Sequence, residues 1–198
     1  VLNEIQARHQ RVYERVAPAV VAVQTRDAKN GASCYGAGVV VSPDGLILTS
    51  STIVSADTRS VKIYFQNGRV MTAKVMKVDH NTESCALEVV FGAEDCRPLP
   101  YIELCDSSKV SVGELAYTAG NPFHTISRDG QVAWSVGIIS GIYKIVSADK
   151  RSRYDGVVLE TDAAVNPGSD GGPLIDGHGR LLGLMSLCFC ESRWLGTA

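Results

Sequence analysis

The chain has 198 residues, 45% of them hydrophobic, and a formal net charge of −2, so it is long enough to bury one large core or two smaller ones. Its lysines and arginines are scattered rather than gathered into a basic stripe, which argues against nucleic acid as a partner. No apolar run reaches the length that a bilayer requires, so we predict no membrane span within this sequence.

The first stretch of the chain predicts a helix. Leu2, Ile5, His9, Val12 and Val16 recur at helical spacing, and a proline follows shortly after. We therefore expect a short amphipathic helix over residues 1–16 that lies on the body of the protein.

From residue 17 onward, short β-like runs alternate with turn signals and helical spacing is nearly absent. The sequence SPDG at residues 42–45 and the Asn67-Gly68 pair are turn sequences, because proline presets φ and glycine supplies a positive φ. We expect strands over residues 20–25, 36–41, 46–49, 61–65, 70–78, 85–90, 115–119, 134–143, 157–161, 173–175 and 181–190.

Short strands at this spacing are typical of β-barrels and sandwiches. We predict an all-β fold with two antiparallel barrels packed side by side. The first barrel would cover residues 17–100, a linker residues 101–112, and the second barrel residues 113–198. A functional site between the barrels would then draw side chains from both halves.

Six cysteines are compatible with disulfides but do not demand them. Cys85 lies in an apolar run and is expected in the core. Cys96 and Cys105 flank a proline-containing segment and are the favoured pair by spacing. Cys188 and Cys190 share one face of a predicted strand, which holds them too far apart to bridge each other. A metal site built on this CxC pair is disfavoured because zinc sites normally show two close ligand pairs, so we predict no metal and no cofactor.

The glycine-rich stretch TDAAVNPGSDGGP at residues 161–173 can direct successive N–H groups into one small space. Three other stretches precede it in order: GAGVVVSPDGLILTSSTIV (36–54), AKVMKVDHNTESCALEVV (73–90) and CDSSKVSVGELAYTAGNP (105–122). Together the four blocks resemble the HtrA/Deg family of trypsin-like serine proteases. The resemblance implies two six-stranded barrels, with the second cut short at the C-terminal end of this sequence and an intact protein that continues beyond it.

The resemblance also locates three catalytic positions, at which the family has His in TNAHVV, Asp in TDLAL and Ser in GNSGGP. They correspond here to Thr52, Glu83 and Asp170. Threonine has no titratable nitrogen that could act as general base, and an aspartate carboxylate is a poor nucleophile toward an amide. The family's oxyanion loop maps to Gly168, Ser169 and Asp170. We therefore expect no active catalytic residue.

Three functions remain open from the sequence. The first is an inactive homologue that binds a protein or peptide by strand addition, pairs with an active relative, or forms a homotrimer with Tyr13 at a subunit contact. The second is an HtrA-like endopeptidase or altered hydrolase rebuilt from Glu83, Asp170 and His124. The third is a metal-binding variant. The resemblance implies an extracytoplasmic location such as the periplasm, and no partner-binding residue is indicated.

Overall fold

A computed structural model describes residues 2–27, 31–54, 58–93, 95, 97–146 and 154–186. The chain opens with the predicted helix, α1 (Leu2–Val16), whose apolar stripe buries Val12 and Val16. A short 3₁₀ turn at Ala17–Ala19 then leads into the first strand. None of the helices in these ranges is long and apolar enough to cross a membrane.

The first half of the chain forms a closed barrel of six antiparallel strands, in the spatial order β1-β2-β3-β6-β5-β4. Both predicted turns join neighbouring strands: Gly45 has φ +89° and Gly68 has φ +79°. The strands are β1 (Val20–Asp27), β2 (Ser33–Val40), β3 (Leu46–Ser50), β4 (Thr58–Tyr64), β5 (Val70–Asp79) and β6 (Ser84–Val90).

The second half forms a five-stranded antiparallel sheet in the order β11-β10-β7-β8-β9. Its strands are β7 (Leu115–Gly120), β8 (Ala133–Val146), β9 (Asp155–Thr161), β10 (Pro173–Asp176) and β11 (Leu181–Leu184). The all-β prediction is confirmed. The strand predicted over residues 181–190 ends earlier, at Leu184, and residues 187–190 lie outside the described ranges.

Two short helical segments interrupt the β-pattern where no helix was predicted. A 3₁₀ turn at Pro122–His124 runs into α2 (Thr125–Asp129), and a further 3₁₀ turn at Ser107–Lys109 lies in the predicted linker. An α-helix of five residues is too short to show helical spacing in the sequence, which is why periodicity did not reveal it.

One hydrophobic cluster runs through both halves of the molecule. It joins Ile47 and Leu87 of the first barrel to Tyr117 and Ile175 of the second sheet, all of which are fully buried. A smaller cluster around Ile139 lies within the second sheet alone. The two halves therefore share a core rather than meeting only at polar surfaces.

Helix α1 packs on the second half. His9 Nδ1 lies 2.8 Å from the Tyr117 hydroxyl, and the Tyr13 ring meets the Trp134 ring edge-on at 5.6 Å between centroids. Arg8 donates a hydrogen bond to the Gly177 carbonyl at 3.3 Å. Tyr13 therefore packs against its own chain while staying partly exposed, and its expected place at a subunit contact stays a prediction.

The segment between the halves is bonded to both of them. Ile102 N–H donates to the Val40 carbonyl at 2.9 Å, and Cys105 N–H donates to the Leu181 carbonyl, also at 2.9 Å. The Cys105 thiol is free among the described residues, and its backbone is held at the edge of β11. The predicted pairing with Cys96 involves a residue outside the described ranges and stays a prediction. Cys96 itself lies outside the described residues, as do Cys188 and Cys190.

Cys85 is buried on β6, as its apolar run predicted. Burial raises the pKa of its thiol to about 11, since the surrounding apolar atoms disfavour the thiolate. It is a core residue of the first barrel and a poor nucleophile near neutral pH.

Candidate functional site

The glycine-rich loop lies between the two halves and is held by close backbone contacts. Gly171 has φ +77°, and a Cβ at this position would lie 2.5 Å from Thr49 Oγ1 and 2.6 Å from the Ala37 carbonyl oxygen. Its N–H donates to the Met185 carbonyl at 2.8 Å. Only glycine can adopt this φ and also lie this close to Thr49 and Ala37, because any side chain would clash with them. The loop therefore packs directly against β2 and the end of β3.

Thr52 and Asp170 meet across the interface between the halves. Thr52 follows β3 in the first barrel, and its hydroxyl donates a short hydrogen bond to Asp170 Oδ2 on the glycine-rich loop. Ser50 Oγ lies 2.7 Å from the same threonine hydroxyl and extends the polar chain. The Asp170 carbonyl accepts a bond from Ala37 N–H at 2.9 Å, so both ends of this residue are tied to the first barrel.

Glu83 lies close by but has a different partner. It is 8% exposed, and its Oε2 accepts a hydrogen bond from the Ser186 hydroxyl at 3.3 Å. Its backbone has φ +52°, a left-handed conformation that costs a residue with a side chain about 1–2 kcal/mol. The structure thus brings two of the three predicted positions into direct contact and directs the third toward Ser186.

Ser169 of the oxyanion loop faces the second sheet. It is 5% exposed, and its side chain packs so closely on Gly120 that a Cβ there would lie 2.5 Å from Ser169 Oγ. Gly168 has φ +97°, and a Cβ at Gly168 would lie 2.5 Å from the Asn121 carbonyl oxygen. The loop that would hold an oxyanion therefore packs against the chain after β7.

The four histidines contact other parts of the molecule. His124, the one singled out from the sequence, has φ +61° and places its ring 4.4 Å from the Tyr35 ring. His9 bonds to Tyr117, His178 lies in the turn between β10 and β11, and His80 is exposed after β5. None of these contacts involves Thr52, Glu83 or Asp170.

A pocket of about 590 Å³ opens beside Glu83. Its polar wall includes Ser50, Glu83 and Ser186, and its apolar wall includes Val158, Leu174 and Leu182. The sequence did not indicate Ser186, because its contact with Glu83 joins residues 103 positions apart and no local pattern marks it. In the described part of the chain, no group of three or more His, Cys, Asp or Glu side chains is arranged to hold a metal.

Comparisons with known proteins agree on one family. The trypsin-like peptidase domain matches residues 36–184. A serine protease named HhoB from Synechocystis sp. is 34% identical over 167 residues, which are 82% of this chain and 36% of that protein. A DegP-like periplasmic serine endoprotease of Pseudomonas putida is 30% identical over 183 residues, 91% of this chain and 34% of that protein. The chain thus spans about a third of the length of these curated relatives.

Solved structures give the same result. The HtrA-type protease AlgW, determined with a tripeptide, superposes with a TM-score of 0.78 at 27% identity, over 96% of this chain and 58% of that one. Deg5 superposes with a TM-score of 0.75 over 92% of this chain and 86% of that one. The sequence identity to Deg5 is 22%, so this superposition supports the fold alone.

Proposed function

The chain belongs to the trypsin-like peptidase domain family, in its HtrA/Deg branch, and on that premise we propose that it is a catalytically inactive member that binds a protein or peptide. The observation that carries this proposal is the hydrogen bond from Thr52 to Asp170. It joins the two positions at which the family places its general base and its nucleophile.

Acyl transfer to a serine requires a hydroxyl nucleophile and a neighbouring base that takes its proton. At these positions the chain has a threonine hydroxyl, which cannot act as a base, and a carboxylate, whose attack on an amide would give an unstable anhydride. The hydrogen bond between them engages the threonine proton and one carboxylate oxygen, so the pair offers no base beside a free hydroxyl nucleophile. This chemistry supports loss of protease activity.

Binding without cleavage requires only an accessible sheet edge. β9 and β11 are the outer strands of the described five-stranded sheet. The start of β11 is already covered, because Leu181 is bonded to Glu103 and Cys105, whereas β9 lines the pocket beside Glu83. We propose that an extended peptide adds to the sheet along β9. Assembly with an active relative or as a homotrimer provides a second mode of association, and the protein acts outside the cytoplasm.

The test is labelling with a fluorophosphonate probe together with casein cleavage. We expect no labelling and no cleavage by the wild type, and labelling of the triple variant Thr52→His, Glu83→Asp, Asp170→Ser, because that variant restores a base, an orienting carboxylate and a hydroxyl nucleophile to an intact scaffold.

The matched control is the double variant Thr52→His, Glu83→Asp, which retains Asp170 and should stay unlabelled since it offers the probe no serine at the loop. Labelling and casein cleavage by the wild type would overturn the proposal and point instead to a hydrolase rebuilt around Ser169 or His124.

A further inference from the structure

Glu83 is a buried carboxyl group with little to balance its charge. It is 8% exposed, and its side chain accepts one hydrogen bond, from Ser186 at 3.3 Å. The ion pairs among the described residues involve other acidic groups, at Asp79, Asp95, Glu103, Asp106 and Asp176. A buried carboxylate without a cation is costly, so this position favours a positively charged group supplied from outside the chain.

Glu83 lines a cavity of suitable size. The pocket of about 590 Å³ that Glu83 lines falls within the range of ligand sites, roughly 300–1,000 Å³. Hydroxyl groups of Ser50 and Ser107 lie in the same wall, while Val158 and Leu182 belong to the apolar part. The pocket therefore combines one buried acidic group with an apolar surface.

The backbone at this position adds a second indication. Glu83 is held at φ +52°, with its carbonyl bonded to Ser51 N–H at 3.0 Å. Backbone strain of this kind persists where the surrounding structure enforces it, and it concentrates at functional sites. Here the residue held in this conformation is one that lines the pocket.

We propose that this pocket binds a cationic nitrogen carried on an apolar chain, with Glu83 as its counter-charge. A neutral apolar ligand would leave the carboxylate buried and unpaired, and an anion would be repelled by it, so the pocket selects for the cation. A lysine side chain of a partner and a free alkylamine share this chemistry. The site goes beyond the proposed function, because it requires neither a peptide at the sheet edge nor the loss of catalysis.

The test is calorimetric titration of the wild-type chain at low salt with three ligands of one length: n-hexylammonium, hexanol and hexanoate. We expect n-hexylammonium to bind at least about tenfold more tightly than hexanol, with hexanoate weakest. Added salt should weaken binding of the ammonium ion and leave hexanol unchanged. A capped tripeptide with a central lysine separates the two sources: tighter binding than n-hexylammonium identifies a partner's side chain, and weaker binding identifies a free amine.

The variant Glu83→Gln should bind n-hexylammonium and hexanol equally. The variant Glu88→Gln, an exposed change on β6, the strand that follows Glu83, should retain the wild-type preference. The proposal is overturned if n-hexylammonium does not bind the wild type, if the wild type does not prefer it over hexanol, or if Glu83→Gln keeps that preference. If Glu83→Gln fails to fold, the affinities of the wild type for n-hexylammonium and hexanol still test the proposal. Since the readout is binding of small amines, it is also separate from the probe labelling that tests the loss of protease activity.

Discussion

The contact between Thr52 and Asp170 joins residues 118 positions apart and crosses from one half of the molecule to the other. Asp170 is 8% exposed, so its carboxylate depends on hydrogen bonds within the protein rather than on water. Asp170, which we predict at the family's nucleophile position, is therefore a hydrogen-bond acceptor that links the two halves.

Replacing Thr52 with valine should destabilise the fold, since valine has the same shape but no hydroxyl to donate to Asp170. We expect the free energy of unfolding to fall by about 1–3 kcal/mol, as measured by urea denaturation. The control is Thr72→Val on β5. Both threonines are exposed, but the Thr52 hydroxyl donates to the buried Asp170 and the described contacts of Thr72 include no side-chain hydrogen bond, so the change at Thr72 should be small. Equal effects of the two substitutions would show that the Thr52 bond adds no stability.

The sequence predicted which residues occupy the candidate site but not which hydrogen bonds they make. The family motifs indicated that Thr52, Glu83 and Asp170 form one set. They could not indicate that the threonine would bond directly to the aspartate, or that Glu83 would take Ser186 as its partner, because both bonds depend on how the two halves pack.

Among the elements, the turn between β10 and β11 is held by several hydrogen bonds and an ion pair. Asp176 accepts hydrogen bonds from the backbone N–H groups of His178 and Arg180, each at 2.8 Å, and pairs with the Arg180 guanidinium at 2.7 Å. Burial alone would raise the pKa of Asp176, but these bonds from Arg180 and His178 outweigh it and hold the pKa below the ordinary value of 3.8. Arg8 and Arg15 of α1 bond to carbonyls of the same turn.

The lowered pKa of Asp176 predicts how the stability of the protein depends on pH. Asp176 contributes stability that is fully present above its unfolded-state pKa and is lost as pH falls through the lower folded-state value. Asp176→Asn should therefore be less stable than the wild type near neutral pH, and the difference should shrink as pH falls below about 3.8. Urea unfolding across this pH range measures it, with the exposed Asp44→Asn as control. A difference that stays constant down to the most acidic pH would contradict the assignment.

Local sequence chemistry predicted most elements of this fold. The turns at Gly45 and Gly68 followed from residues that fix φ within the turn itself, and the strands followed from apolar runs between such turns. Local sequence did not predict elements whose position depends on a contact with a residue outside their own stretch. α2 is stabilised partly by the Asn121 side chain, which accepts a bond from Ile126 N–H at 2.9 Å, and Cys105 is placed by the bond from its N–H to the Leu181 carbonyl.

Over the whole molecule, the shared core predicts that the two halves unfold together. Tyr117 and Ile175 of the second sheet pack in the same cluster as Ile47 and Leu87 of the first barrel, so opening one half exposes apolar surface of the other. The linker and the glycine-rich loop add backbone hydrogen bonds across the same boundary.

Two probes test this, one in each half. Trp134 fluorescence in a Trp194→Phe background reports the second sheet, and pulse labelling of the Cys85 thiol reports the first barrel. We expect the two midpoints in urea to coincide, with the exposed Cys34 reacting at every concentration as the control. Separate midpoints would mean that the halves unfold independently.

The bond between Thr52 and Asp170 also bears on how this chain could change over evolutionary time. A single change, to histidine at residue 52 or to serine at residue 170, replaces one partner of this hydrogen bond without completing the set of groups that acyl transfer to serine requires. On the proposed loss of activity, a gain of proteolysis therefore requires changes at both residues together. Neither change alone gives selection a new activity to act on.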